Sequence, residues 1–339
     1  MQSILNYYPE LDKPAKVVIT MHQKPDADAM GSSLGLMHFL KKKGHEVVVI
    51  SPTNWAGFLN WLPGSKKVVD AEAKRELTAK LLQNADVIYC LDFNNLARTK
   101  GLEKQIEESS AIKILIDHHQ EPQTEQFSYG ISDTGKCATA EMVYDLIRDS
   151  GNGSFLDQEI ATCLYAGVMT DTGSFRFAST SAGTHTMIAD LKQTGLQHHL
   201  IHENLFDTFL ENRLRFFGHV LLNRMDVDYE LNTVLIAITK ADLLKFEIKT
   251  GDTEGLVNYP LSMQGIKMAA IVIDRDEERK WSFRSKGNVD VNTFARQYFE
   301  GGGHKNAAGG RSFASLEDTV AHFREVLPAM SNVLTNNYL

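Results

Sequence analysis

Short apolar runs alternate with helix-like segments along the first 120 residues of the chain. The runs AKVVIT (15–20), HEVVVIS (45–51), DVIYCLDF (86–93) and AIKILIDHH (111–119) are rich in β-branched residues, as buried strands are. Strands that alternate with helices predict an α/β fold with a mostly parallel sheet and helices on both faces. Ligands of such a sheet bind beyond the carboxyl ends of its strands.

The pattern changes twice in the second half of the chain. Helical spacing at 138–150 and 157–169 is followed by a Ser/Thr/Gly stretch at 178–184, which indicates a boundary. Apolar residues then recur at helical spacing from Leu200 to Leu221 and predict one long connecting helix. Strands are predicted at 232–239, 267–274 and 280–285, and helices at 290–299 and 316–328. We therefore predict a catalytic domain (1–185), a helical linker (186–224) and a smaller α/β domain (225–339).

Composition limits the classes of partner and the location. With 35 Lys and Arg against 43 Asp and Glu, the formal net charge of −8 argues against tight binding of long nucleic acid. Cys90, Cys137 and Cys163 form no CxxC pair, so we expect reduced, buried thiols. The first residues do not follow the pattern of a signal peptide, and no stretch approaches the roughly 20 apolar residues of a membrane span. A cytoplasmic protein without a membrane partner is the expectation.

Polar clusters directly follow the predicted strands. HQKPDADAMGSS places His22, Asp26 and Asp28 at a strand-to-helix junction, where a tight loop can turn alternate side chains toward one centre. Asp and Ser are also common helix caps, which is the structural alternative for this segment. Asp92 ends a strand where a buried carboxylate needs a partner or a metal, although strand-end aspartates also begin turns.

Two further clusters complete the set. Asp117, His118 and His119 follow the fourth strand, and two adjacent imidazoles beside a carboxylate are typical of metal sites. Asp171 lies in MTDTGSF, where a cap before Gly173 is an equally good explanation. A helical pair, His198 and His202, has the i, i+4 spacing of metal ligands, but no acidic residue with matching spacing accompanies it.

The candidate ligands are carboxylates and imidazoles without thiolate, namely His22, Asp26, Asp28, Asp92, His118 and Asp171. Such a set favours Mn²⁺, with Mg²⁺, Fe²⁺ or Co²⁺ as substitutes. Four carboxylates exceed what one divalent ion requires. Two ions about 3.5 to 4 Å apart would stabilise the attacking and leaving oxygens of a phosphoryl displacement. The set therefore predicts hydrolysis of a phosphate ester.

The second domain contains a glycine run and an arginine that could bind an anion. EGGGHKNAAGG (300–310) lets backbone N–H groups approach a phosphate, and His304 could donate a hydrogen bond to it. A flexible loop explains the glycine run equally well. Arg284 ends a strand and can bind phosphate with two hydrogen bonds, although a lone arginine is more often a surface charge.

These motifs, in this order, resemble those of the DHH phosphoesterase family, subfamily 1 with its DHHA1 domain, and within it the oligoribonuclease (nanoRNase) and pAp phosphatase group. HQKPDADAMGSS is similar to the first motif of the family, Asp92 to the second, Asp117-His118-His119 to the third and MTDTGSF to the fourth. SFRSK and GGGHKNAAGG resemble motifs of the C-terminal domain. The resemblance spans about residues 15 to 315.

The resemblance implies a role for each matching residue. One Mn²⁺ would be held by His22, Asp26 and Asp92, and the other by Asp28, Asp92, His118 and Asp171, so that Asp92 is shared. Asp117 would orient the ligands, and His119 would contact the scissile phosphate. The implied substrate contacts are Arg98, Arg284, Ser285, Gly302, Gly303 and His304.

The implied substrates are short oligoribonucleotides, dinucleotides and pAp, and a homodimer is compatible with the sequence. Other members of the same clan are the first alternative: an inorganic pyrophosphatase, a polyphosphatase or a RecJ-like single-strand exonuclease. The second alternative is a non-catalytic nucleotide-binding sensor. A sensor would be expected to lack a ligand position, and this chain retains them all.

Overall fold

The chain folds into two compact units. The computed structural model describes residues 1–249, 251–275 and 277–336. One unit covers Met1–Thr208 and the other begins at Phe209. The division into 1–185, 186–224 and 225–339 stays a prediction, and its last residues, 337–339, lie outside the described part. No helix within the described ranges has the length and apolar character needed to cross a membrane.

The first unit is built on a parallel sheet. Its described strands are β1 (Gln2–Ser3), β2 (Lys16–Thr20), β3 (Glu46–Ser51), β4 (Val69–Asp70), β5 (Val87–Leu91), β6 (Ile112–Asp117) and β7 (Tyr129–Ser132), in the order β1-β7-β6-β5-β2-β3-β4. All of these pairs are parallel. Its helices are α1 (Ala27–Lys42), α2 (Arg75–Gln83), α3 (Glu103–Glu108), α4 (Thr139–Asp149), α5 (Gln158–Asp171), α6 (Ala182–Gln193) and α7 (His198–Phe206).

Helices cover both faces of this sheet, as predicted. Along β5, Tyr89 joins the core that α1, α4 and α5 form, whereas Ile88 joins a separate core with Leu82 of α2 and Ile106 of α3. Successive side chains of a strand point to opposite faces of the sheet, and here both faces are buried. Every position along the strand is therefore apolar, which explains why the predicted strands are continuous apolar runs. The α/β fold class is therefore confirmed.

The topology brings three predicted polar clusters to one edge of the sheet. β5 pairs with β2 on one side and with β6 on the other. Since all three strands are parallel, the segments after Thr20, Leu91 and Asp117 leave the sheet at the same edge. The candidate ligands predicted from separate parts of the sequence therefore converge.

The second unit contains a smaller mixed sheet. Its described strands are β8 (Met225–Asp228), β9 (Thr233–Ile238), β10 (Met268–Asp274), β11 (Arg279–Ser285), β12 (Gly302–His304) and β13 (Ala307–Ser312), in the order β12-β13-β11-β10-β9-β8. Only the β9–β10 pair is parallel among these. The accompanying helices are α8 (Glu211–Asn223), α9 (Lys240–Lys245), α10 (Val291–Tyr298), α11 (Leu316–Val326) and α12 (Ser331–Thr335).

The prediction of one long connecting helix is wrong. The helix breaks between α7, which ends at Phe206, and α8, which begins at Glu211. Helical spacing continues through both pieces because each has an apolar face, but the faces belong to different cores. Leu205 of α7 packs into the first unit, whereas Phe216 of α8 packs into the second.

The glycine run at 300–310 is a β-hairpin rather than the flexible loop considered as its alternative. β12 and β13 pair antiparallel and are joined by Lys305 and Asn306. A Cβ on Gly301 would lie 2.0 Å from the carbonyl oxygen of Gly309, and one on Gly303 would lie 2.5 Å from that of Ala307. The glycines therefore permit close approach of two backbones.

A network of charged and polar side chains surrounds Asp242, in the first turn of α9 of the second unit. Asp242, which is 3% exposed, accepts hydrogen bonds from Arg224 at 2.8 and 2.9 Å, and lies 2.9 Å from Nε2 of His219. The Thr239 hydroxyl donates to it at 2.7 Å. Burial raises the pKa of Asp242, but Arg224 and Thr239 outweigh burial and hold that pKa well below its usual range.

We predict that Asp242→Asn lowers the free energy of unfolding of the second unit by about 2 kcal/mol at pH 7, the scale of a hydrogen bond to a charged group. Because the folded pKa is depressed, the contribution is complete above the unfolded pKa of about 3.9 and is lost as the pH falls below it. Urea-dependent hydrogen exchange would measure this, with first-unit peptides as an internal control. The prediction would be contradicted if the free energy of unfolding differed between wild type and variant by the same amount at pH 7 and at pH 3.

Candidate metal centre

The loop after β2 carries the first two candidate ligands. Asp26 is the N-cap of α1, and its Oδ1 accepts hydrogen bonds at 3.0 Å from the backbone N–H groups of Asp28 and Ala29. The capping role that the sequence offered as an alternative is therefore present. The other oxygen, Oδ2, lies 3.7 Å from Nε2 of His22. One carboxylate thus caps a helix and also faces an imidazole.

Asp28 lies fully buried on the first turn of α1. Its Oδ2 accepts a hydrogen bond from the backbone N–H of Thr139 at 2.7 Å, and its Oδ1 accepts one from Ala140 at 2.9 Å. These donors are the first residues of α4, whose own N-cap residue, Ala138, makes no side-chain cap. Asp28 therefore caps α4 from a distant part of the chain and is held rigidly by it.

Asp92 lies between two imidazoles. Its Oδ2 is 3.5 Å from Nε2 of His22, and its Oδ1 is 3.5 Å from Nε2 of His118. The backbone of Asp92 has a φ of 63°, in the left-handed region that non-glycine residues rarely adopt. The two distances to Nε2 show that the oxygens of this carboxylate face two neighbouring groups of candidate ligands.

Both imidazoles are fixed in the same way, through a hydrogen bond from Nδ1. Nδ1 of His22 lies 2.8 Å from the carbonyl oxygen of Gln23, and Nδ1 of His118 lies 3.2 Å from that of Lys136. A carbonyl oxygen only accepts, so Nδ1–H must donate in each case. With Nδ1–H engaged, Nε2 is the nitrogen of each ring that faces the carboxylates. This is the arrangement of metal-ligating histidines, whose second nitrogen is fixed by a backbone carbonyl.

Asp171, the last residue of α5, lies against His118. Its Oδ2 is 3.3 Å from Nε2 of His118, which in turn is 3.8 Å from Oδ2 of Asp28. Ser174 and Phe175 follow with φ of 61° and 65°. Thr172 steadies this turn, because its hydroxyl accepts the N–H of Phe175 at 2.9 Å.

Asp117 and His119 form a pair beside Asp92. Nδ1 of His119 donates to Oδ1 of Asp117 at 2.7 Å, and the same nitrogen is 3.7 Å from Oδ1 of Asp92. Asp117 is fully buried at the end of β6. The carboxylate therefore fixes the orientation of the His119 ring.

The pKa values of the centre reflect crowded negative charge. Burial raises the pKa of Asp28 well above its usual range, and the charges of Asp92 and Asp171 act in the same direction. Burial also raises the pKa of Asp92, but His118 and His22 outweigh it and hold that pKa well below its usual range. Burial lowers the pKa of His22, yet Asp26 and Asp92 raise it to about 10. Positive charge among these residues therefore stabilises the ionised carboxylates of Asp28 and Asp92.

The donor atoms fit a divalent cation. His22, Asp26 and Asp92 offer ligand atoms within 4.8 Å of one another, and so do Asp28, Asp92 and His118. Carboxylates and neutral imidazoles are the ligands that Mn²⁺ and similar ions accept. The described residues therefore contain an acidic and histidine cluster able to hold metal, with Asp92 common to both groups.

The predicted substrate contacts divide between the two units. Arg98 lies beside the first motif, since its carbonyl oxygen accepts the N–H of Gln23 at 2.8 Å. Within the second unit, the hydroxyl of Ser285 donates to the carbonyl oxygen of Val289 at 2.6 Å. The N–H of Gly303 donates to Oδ1 of Asn292 at 2.9 Å. Ser285 and Gly303 therefore also stabilise the second unit itself.

Arg284 and His304 share a row of the second sheet. Both pair with Ala307 of β13, Arg284 from β11 and His304 from β12. Directly paired residues point to the same face of a sheet. Arg284 and His304 therefore lie on either side of Ala307, and their backbones are separated by two strand spacings, about 10 Å. Gly302 lies two rows away along the strand and pairs with Gly309.

Sequence reasoning missed the segment Lys136–Ala140, which touches several ligands at once. The carbonyl of Lys136 meets His118, the N–H groups of Thr139 and Ala140 meet Asp28, and the hydroxyl of Thr139 donates to Oδ1 of Asp92 at 3.0 Å. Backbone groups leave no signature in a sequence. The available signal was an alanine at the cap position of a helix, which implies a cap from elsewhere.

Comparison with known proteins identifies the family. The model of the DHH family N-terminal domain matches residues 16–168, and that of the DHHA1 domain matches residues 232–329. A Thermus thermophilus protein named bifunctional oligoribonuclease and PAP phosphatase NrnA is 31% identical over 323 residues, which are 94% of this chain and 90% of that protein. The chain belongs to the DHH family.

Two further proteins are similar over nearly their full length. A Bacillus subtilis protein, also named bifunctional oligoribonuclease and PAP phosphatase NrnA, is 29% identical over 86% of this chain and 88% of its own. The crystal structure of an exopolyphosphatase-related protein from Bacteroides fragilis has a TM-score of 0.93 and 37% identity, covering 98% of this chain and 97% of its own. Membership of the DHH family supports assignment as a hydrolase.

We predict that Gly167→Ala weakens metal binding about 10- to 100-fold, the range seen when partners of metal ligands are lost. A Cβ there would lie 2.7 Å from Oδ1 of Asp28 and 2.8 Å from Cβ of Ala140, so it would push the carboxylate out of place. Calorimetric titration with Mn²⁺ would measure the change. Gly35→Ala is the matched control, because its Cβ would meet the side chain of Leu164 at 2.6 Å. Equal Mn²⁺ affinities in the two variants would contradict the prediction.

Proposed function

We propose that this chain is a divalent-metal-dependent phosphoesterase that cleaves short oligoribonucleotides to mononucleotides and converts pAp to AMP and phosphate. The position of Asp92 carries the proposal, because its two oxygens serve two adjacent groups of ligands. The names of the relatives from Thermus thermophilus and Bacillus subtilis, which match this chain over most of their length, support the choice of substrate.

Two Mn²⁺ ions are the proposed cofactor, with Mg²⁺ or Co²⁺ as substitutes. His22, Asp26 and Asp92 would hold one ion, and the other would be held by Asp92 together with Asp28, His118 and Asp171. Bound cations would supply Lewis acidity, which makes an attacking water more acidic and neutralises charge that develops on phosphate oxygens. The four carboxylates match the charge of two divalent ions, which supports two rather than one.

The side chains around this centre have proposed roles of their own. Asp117 would keep the ring of His119 in place through the 2.7 Å hydrogen bond to Nδ1. As water attacks phosphorus and the ester bond breaks, Nε2 of His119 would donate a proton to the departing oxygen. Arg98 would bind a phosphate beside the first motif.

The second unit would supply recognition of the substrate. Arg284 and His304, on either side of Ala307, would bind phosphate groups with hydrogen bonds that Arg and His can donate. Gly302 and Gly303 would hold the hairpin in the shape that presents His304, and Ser285 would support the same region through its bond to Val289. Substrates that carry a phosphate besides the scissile one, such as a 5′-phosphorylated dinucleotide or pAp, suit such a pair.

Hydrolysis of polyphosphate is the second candidate function. It is favoured by the similarity to the Bacteroides fragilis protein, whose description refers to exopolyphosphatase. The proposed chemistry is the same for both candidates, since each breaks a bond between phosphorus and oxygen. The two candidates differ in the leaving group. The leaving group contains a nucleoside in the nucleotide substrates and is phosphate alone in polyphosphate.

Product analysis with Mn²⁺ on pApA, pAp, pyrophosphate and polyphosphate would test the proposal. We expect AMP from pApA and from pAp at rates well above those of the two inorganic substrates. Asp92→Asn should reduce the rate by more than about 100-fold, beyond the loss that outer partners of metal ligands produce. Asparagine tolerates the left-handed backbone at this position, so the variant should fold.

Two outcomes would overturn the proposal in different ways. Faster hydrolysis of polyphosphate or pyrophosphate would favour the inorganic substrates. Binding of pApA without release of a mononucleotide would identify a sensor.

A further inference from the structure

The segment Lys136–Ala140 contacts three of the candidate ligands, yet it contains none of them. Its backbone fixes His118 through the carbonyl of Lys136 and Asp28 through two N–H groups. A side chain of the segment also contacts the cluster, since the Thr139 hydroxyl donates to Oδ1 of Asp92 at 3.0 Å. We propose that Thr139 is a positioning residue that orients the shared carboxylate of Asp92. This inference rests on the proposed metal centre.

The need for such a residue follows from the geometry of Asp92. A carboxylate shared by two groups must keep both oxygens at fixed directions, and rotation about its last side-chain bond is otherwise easy. The backbone at Asp92 is in the left-handed region, which costs conformational energy. This backbone conformation does not by itself fix the rotation of the carboxylate. A hydroxyl on Oδ1 fixes the rotation because it specifies which oxygen faces His118 and which faces His22.

Thr139 itself is held firmly enough to serve as a reference point. It is fully buried at the first position of α4, and its N–H is bonded to Asp28. Glu141 ties the preceding turn to the helix, since its Oε2 accepts the N–H of Cys137 at 3.0 Å. Both ends of the segment are therefore anchored, and the hydroxyl position varies little.

The chemistry also suits a hydroxyl rather than another donor. A neutral hydroxyl donates one hydrogen bond and adds no charge, so Asp92 retains its full negative charge for a cation. A lysine or arginine here would compete with the cation for the same carboxylate. The hydroxyl thus orients Asp92 while leaving the charge of the cluster unchanged.

Removal of the hydroxyl separates this role from packing. Thr139→Val keeps the size and branching of the side chain and the N–H bonded to Asp28, and loses only the bond to Asp92. We expect Mn²⁺ affinity to fall about 10- to 100-fold, as for other lost partners of metal ligands. Thr139→Ser keeps the hydroxyl and should restore affinity to within about threefold of wild type, because the donor is retained.

The test is calorimetric titration of the full chain with Mn²⁺, together with thermal unfolding in the absence of metal. Thr99→Val is the matched control, because Thr99 is also fully buried in the first unit and its hydroxyl donates to the carbonyl oxygen of Leu96 at 2.6 Å. It should lose similar stability without losing Mn²⁺ affinity. If Thr139→Val does not fold, Thr139→Ala against Thr139→Ser makes the same comparison.

The possible results are distinguishable. Weak binding by the Val or Ala variant, with normal binding by the Ser variant and by Thr99→Val, supports the inference. Wild-type affinity in Thr139→Val or Thr139→Ala overturns it while the metal centre stands. Absence of Mn²⁺ binding by wild type itself would overturn the proposed centre and this inference together.

Discussion

The sharing of Asp92 between two imidazoles is the interaction on which the rest of the structure depends. A buried carboxylate requires compensating positive charge, and here each oxygen faces the Nε2 atom of a different histidine at 3.5 Å. Further carboxylates lie on either side, so the site holds more negative charge than its two imidazoles balance. Bound cations are the direct way to complete that balance, which is why the proposed function depends on this one residue.

The surrounding fold serves to keep these groups in place. Three adjacent parallel strands end at the same edge of the sheet, where candidate ligands follow them. Two further candidate ligands, Asp28 and Asp171, lie on α1 and α5, which pack closely against each other. The contact between α1 and α5 requires glycine, since a Cβ on Gly31 would lie 2.4 Å from the carbonyl oxygen of Cys163. Close packing of the helices therefore sets the position of ligands that lie on them.

Much of this arrangement could be predicted from the sequence, because strand ends and polar residues follow local rules. The positions of His22, Asp92 and His118 after apolar runs were sufficient to place them at one edge. Contacts made by backbone atoms could not be predicted, and Thr139 resembles any residue at the start of a helix. The break between α7 and α8 was missed because the apolar spacing continues across two separate cores.

The central claim is that Asp92 binds two cations at once. The most direct measurement is a crystal structure of the Mn²⁺-loaded protein with anomalous scattering recorded at the manganese edge. The account predicts two anomalous peaks about 3.5 to 4 Å apart. Asp92 should contact both ions, either through one shared oxygen or through a different oxygen for each ion. A single peak, or two peaks that Asp92 does not connect, would contradict it.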